Sequence, residues 1–133
     1  MKMVYKKVMK KLSTHNQLFL TPLGRYIWGI CFFAFVMHQL LQKYGWLQIP
    51  WIDAWLDPFL LPVIVMPLLR WERQYATGAA GYRMSIMETI AMVMALMLAS
   101  EVLLPWLSPR FIYDPVDLVC IAVGGLMYYL FMQ

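Results

Sequence analysis

Long uncharged runs, more than any motif, limit what this chain can fold into. Seventeen uncharged residues separate Arg25 from Lys43, and twelve separate Asp57 from Arg70. A third run extends from Thr89 to Ser100, and a fourth follows Asp117 to the last residue. Apolar stretches with charges only at their edges are the signature of helices solvated by lipid. The composition agrees: 62% of residues are apolar and 14% charged, against about half and about a quarter in soluble domains. A soluble bundle of 133 residues is too small to bury so much apolar surface. The sequence therefore predicts an all-α integral membrane protein with four transmembrane helices. Residues 1–20 form a basic segment, and residues 21–133 a single four-helix domain.

Helix start signals place the spans. Thr21-Pro22 pairs an N-cap threonine with proline at the first helical position, opening a span over about Leu23 to Lys43 that Gly45 and Pro50 close. Asp57-Pro58 repeats the device and opens a second span to about Trp71, interrupted by Pro62 and Pro67. Ahead of it, Trp51 and Trp55 are four apart, as are Asp53 and Asp57, so one helical turn puts each pair on its own face. This stretch reads as a short interfacial helix before the second span, with a continuous helix from Pro50 as the alternative. Ser85 and Glu88 form a capping box for a third span, which Pro105 ends; Asp114-Pro115 opens the fourth. Tryptophans and tyrosines near the ends of the runs (Tyr26, Trp28, Trp71, Trp106) fit interfacial belts.

Charge distribution sets the orientation. Nine Lys and Arg fall in the first segment, at Arg25 and in the Arg70–Arg83 loop, while Lys43 and Arg110 alone occupy the opposite loops. The positive-inside bias places both termini in the cytoplasm. Lys2, Lys6, Lys7, Lys10 and Lys11 make a lead-in suited to an anionic leaflet, which accounts for the net charge of +4 without nucleic acid. The first run lacks a small-residue cleavage site and reads as a retained anchor. Cys31 and Cys120 fall at different depths and read as small apolar residues, not a disulfide. The acids divide the other way. Asp53, Asp57, Glu101, Asp114 and Asp117 gather at the outer face, leaving Glu72 and Glu88 inside.

Several of these acids have an ordinary structural reading. Asp57 and Asp114 suit N-caps, and Asp117, three residues after Asp114, suits the first turn of the same helix. Glu101 sits one turn before the proline expected to end its helix, where the dipole disfavours an anion and no local capping duty explains it. Arg110 has the planar fork to serve two carboxylates or an anionic head group. His38, at a similar depth, reads as a packed, hydrogen-bonded residue or a proton carrier. Gly124-Gly125 reads as a helix-packing face. No His/Cys spacing suits a metal, no glycine loop suits a phosphate and no nucleophile has a nearby base, so neither cofactor nor enzymatic chemistry is implied.

The succession Glu101, Pro109-Arg110, Asp114, Asp117, Gly124, with Asp57 upstream, resembles the pattern of VanZ-like membrane proteins. The likeness covers about thirty residues well. It departs at Ile121, where that family's pattern has asparagine, and after Asp57, where a histidine is absent. The resemblance implies a small multi-pass protein of the bacterial inner membrane with a role in the cell envelope. Together with the residues, it suggests an outward acidic site of Glu101, Arg110, Asp114 and Asp117, with Asp57 and His38 completing the rim. Such a site suits a polar ligand, a lipid head group or a cation. The other readings are an assembly subunit that pairs with a partner membrane subunit or itself, and a small proton- or cation-coupled transporter.

Overall fold

A computed structural model of the protein describes residues 3–4, 20–45, 49–79, 81–109 and 113–133. The basic residues Lys2, Lys6, Lys7, Lys10 and Lys11, with His15 and Arg110, lie outside them. Every regular element among the described residues is helical. Helix α1 spans Pro22–Tyr44, α2 Pro50–Thr77 and α3 Ile86–Leu98. The last continues through a π-helical stretch, Ala99–Leu103, into the short α4, Leu104–Leu107; α5 spans Pro115–Phe131. Counting α3 to α4 as one rod, four helices make the bundle among the described residues, in line with the four runs.

The local start signals operate as read. Thr21 Oγ1 accepts from the Gly24 amide at 3.1 Å with Pro22 behind it. Gly45 closes α1 in the left-handed conformation, φ 67°, a region open to glycine at little cost. Ser85 and Glu88 make both halves of the capping box. Asp114 Oδ1 accepts from the Val116 amide at 2.9 Å.

Two expectations built on proline fail. There is no separate interfacial helix: α2 runs unbroken from Pro50, with Pro58, Pro62 and Pro67 inside it. Asp57 is therefore a mid-helix residue and caps nothing. Each internal proline removes one backbone hydrogen bond and costs about 3 kcal/mol in isolation. Here the cost is offset by tertiary packing, because Pro62 and Pro67 belong to the buried face of α2 with Leu60, Val63 and Met66. Pro105 likewise does not end its helix, which reaches Leu107. The preceding backbone widens instead. The Leu104 amide donates to the Ala99 carbonyl five residues back, a π turn that takes up the clash of the proline ring with the turn before it.

The rods stand side by side in the order α1, α2, α5, α3. Helices α2 and α5 form the most extensive contact, and α1 and α3 flank them. α2 and α5 run parallel. Gly124 lies at the level of Phe59 and Pro62, where a Cβ would collide with the Phe59 carbonyl oxygen. α1 runs antiparallel to α2, with the Trp28 indole N–H donating to the Ile64 carbonyl at 3.3 Å. α3 runs antiparallel to α5, Val93 filling the space beside Gly125. The glycine pair thus packs two neighbours at once. The core is small: Leu20, Val63, Met66, Met84, Tyr128 and Met132.

Much apolar surface stays outside. α2 and the rod Ile86–Leu107 are long and apolar enough to cross a membrane, and only 6% of the apolar window of the latter is buried. Ile90, Met94, Leu98 and Val102 are all exposed.

Candidate functional site

The bundle has a basic end and an acidic end. At the basic end the connection between α2 and α3 is held by side chains. Arg70 Nε donates to the Tyr82 carbonyl at 2.7 Å, and the Gln74 amide donates to the same oxygen at 3.2 Å. Arg73 reaches Glu88 at 3.2 Å, and the Tyr82 hydroxyl donates to the same carboxylate. That acceptor pushes the Tyr82 phenol above its ordinary range, because ionising it would set two anions together. Arg70 is 7% exposed and Gln74 2%. One guanidinium nitrogen of Arg70 and the side-chain oxygen of Gln74 are buried without a hydrogen-bond partner.

The acidic end holds two separate groups. In the first, His38 of α1 sits between two carboxylates of α2. Nδ1 lies 2.9 Å from Asp57 Oδ1, and Nε2 lies 2.8 Å from Asp53 Oδ1. Gln39 donates to the other oxygen of Asp57 at 2.8 Å, and the Gln42 amide stands 3.4 Å from Nε2. The i, i+4 spacing of Asp53 and Asp57 on an unbroken helix is what turns both toward α1.

In the second group, Glu101 projects from the π turn toward the start of α5. Its Oε2 accepts from the Asp114 backbone amide at 3.2 Å, and Ser100 Oγ stands 3.4 Å from Oε1. Asp117, in the first turn of α5, is close enough to feel the charges of both Glu101 and Asp114. Glu101 therefore does have a local duty, since it holds the residue that caps α5. It also lies inside a continuing helical rod, not at a helix end as its proline suggested.

The structure thus brings Glu101, Asp114 and Asp117 together, and it brings His38 and Asp57 together. It does not join the two sets. Asp57 is two residues from Phe59, which faces α5, so the two point about 200° apart around α2. Among the described residues no hydrogen bond links His38, Asp53 or Asp57 to Glu101, Asp114 or Asp117. Between the sets lies an apolar groove of about 320 Å³, lined by Trp51, Trp55, Phe59, Val119, Cys120 and Val123. Arg110, expected to bridge the acids, lies outside the described residues.

Sequence reasoning missed Asp53, Gln39 and Gln42 as members of the His38 group. The equal spacing of Asp53 and Asp57 was the available signal for the first. Nothing in the sequence marks the glutamines. Among the described residues no group of three His, Cys, Asp or Glu side chains has an arrangement able to hold a metal ion. No protein-family model matches the chain, and neither the curated proteins nor the solved structures compared with it give a match.

Proposed function

We propose that this is a multi-pass protein of the bacterial inner membrane, with both termini cytoplasmic. Its acidic end would face outward and bind a polar ligand, a lipid head group or a cation at Glu101, Asp114 and Asp117. The observation that carries the reading is the convergence of Glu101 from the α3 rod with Asp114 and Asp117 from α5, beside an apolar groove. Carboxylates at the rim of an apolar surface are costly to keep without water, partners or ligands. The largely exposed apolar faces of α2 and of the α3 rod support a lipid environment, and membrane lipids are then the first partners. The likeness to VanZ-like proteins rests on these same acids and adds a cell-envelope role.

A second reading has its own support. The groove between α3 and α5, lined by Ile90, Val93, Met94, Ala122 and Leu126, holds about 300 Å³ and is wholly apolar. It suits a helix of a partner membrane subunit or of a second copy, and makes the chain an assembly subunit.

Purification in mild detergent followed by native mass spectrometry separates the two. A bound lipid or polar molecule that is lost in Glu101→Gln and Asp117→Asn supports the site. A stoichiometric protein retained in both variants supports the assembly role. Full activity of both variants in complementing a deletion strain overturns the acidic-site reading.

A further inference from the structure

Two carboxylates cannot both receive a hydrogen bond from a neutral imidazole. An ionised carboxylate only accepts, and a neutral histidine ring has one N–H. Yet both nitrogens of His38 stand at hydrogen-bond distance from carboxylate oxygens of different residues, 2.9 Å to Asp57 and 2.8 Å to Asp53. The geometry needs one more proton than a neutral ring between two ionised acids supplies. With that proton both nitrogens donate, and the trio carries one net negative charge. Without it, one contact sets a lone pair against an anion, and the trio carries two negative charges in a setting where His38 is 8% exposed.

The position of His38 makes this proton matter to the fold. Gly24, near the start of α1, and His38 are the buried residues of that helix. Among the described residues, polar links from α1 to α2 include the two His38 contacts, the Gln39 bond to Asp57 and, much nearer the basic end, the Trp28 bond to Ile64. Beyond Trp28, His38 is the one fully buried residue of α1 among the described residues. The charged groups acting on His38 are Asp53 and Asp57 from α2. On α1 itself, Gln39 and Gln42 are neutral, and Lys43 is exposed.

We infer that His38, Asp53 and Asp57 form a proton-binding site whose occupancy latches the second half of α1 onto α2. With the proton bound, that half of α1 is docked. Loss of the proton breaks one link, adds repulsion among the remaining charges and opens the α1–α2 seam at the acidic end. The inference uses no residue of the Glu101 group and stands or falls separately from ligand binding there.

The test uses the full chain in lipid nanodiscs. Histidine-selective ¹⁵N spectra contain two residues, His15 and His38, and His15→Gln assigns them. In parallel, spin labels at Leu40→Cys and Leu126→Cys, with Cys31 and Cys120 changed to alanine, report the distance from α1 to the bundle. The expected result is that both His38 nitrogens carry protons near neutral pH. The narrow distance population should then be lost over the same pH interval in which the ring loses its proton. Asp53→Asn should weaken the latch and move that interval. A neutral His38 ring near neutral pH overturns the inference, and so does a distance distribution that stays narrow after the ring has deprotonated.

Discussion

Gly124 of α5 lies against the Phe59 carbonyl of α2 so closely that no side chain fits between them. Pro62 closes the same space from one turn further along α2. This crossing joins the two central helices. Because they run parallel, both present their N-termini, and the acids there, at the same end of the bundle.

Gly124→Ala should therefore destabilise the protein by about 1–3 kcal/mol, the usual cost of overpacking a tight contact. Gly29 gives the contrast: no atom lies within 4 Å of where its Cβ would be. Gly29→Ala in the middle of α1 should be neutral or stabilising, by up to about 1 kcal/mol from reduced backbone freedom. Thermal unfolding in detergent compares the two. Equal effects would show that the α2–α5 crossing yields easily.

Pro105→Ala should shift the register of the helix ahead of it. The π turn at Ala99–Leu103 directly precedes the proline's own turn, and restoring an N–H at this position should let it close to ordinary α-helix. One residue of register rotates Glu101 by about 100° and takes it from the Asp114 amide. Hydrogen exchange at the Asp114 amide should then quicken about ten- to a hundredfold, since a hydrogen bond to a charged group contributes about 1.5–3 kcal/mol. Glu101→Ala should reproduce the change. Unaltered exchange in both variants would show that Glu101 does not hold this amide.

The Tyr82 hydroxyl's share of the clasp at the basic end should be lost in alkali. Tyr82 is neutral when it donates to Glu88, and this partner raises its ionisation above the usual value of about 10. A group whose folded value is raised contributes stability that is intact below the unfolded value and lost as pH climbs through the folded one. The stability curve of the wild type should fall above about pH 10 more steeply than that of Tyr82→Phe. Below that range Tyr82→Phe should be slightly less stable, having lost the bond. Parallel curves would show that the hydroxyl contributes nothing.

What could be read in the sequence was local. Thr21, Ser85 with Glu88, Asp114 and Gly45 act within a few residues of themselves, and their chemistry shows in the spacing. The two proline expectations failed because a breaker's cost is local while its compensation is not. Pro62 sits inside α2 because Gly124, sixty-two residues later, makes room for its ring. His38 and Asp57 were each visible as candidates. Their pairing depends on the register of α1 against α2, which no short pattern encodes. Glu101 meets a backbone amide, a partner that any residue provides and none advertises.

The unbroken course of α2 carries a last consequence, for the lipid around it. Asp57 and Arg70 are thirteen residues apart on one continuous helix, about 20 Å at 1.5 Å per residue. A bilayer's hydrocarbon layer is about 30 Å thick. If α2 crosses it, the distance between the polar levels is shorter than the layer by roughly a third. Tilting lengthens the mismatch instead of relieving it. Either the lipid thins beside the protein, at fractions of a kcal/mol per Å, or neighbouring helices keep these polar side chains out of the acyl chains. Arg70 at 7% exposure and His38 at 8% show how far the bundle has gone toward the second solution at both levels.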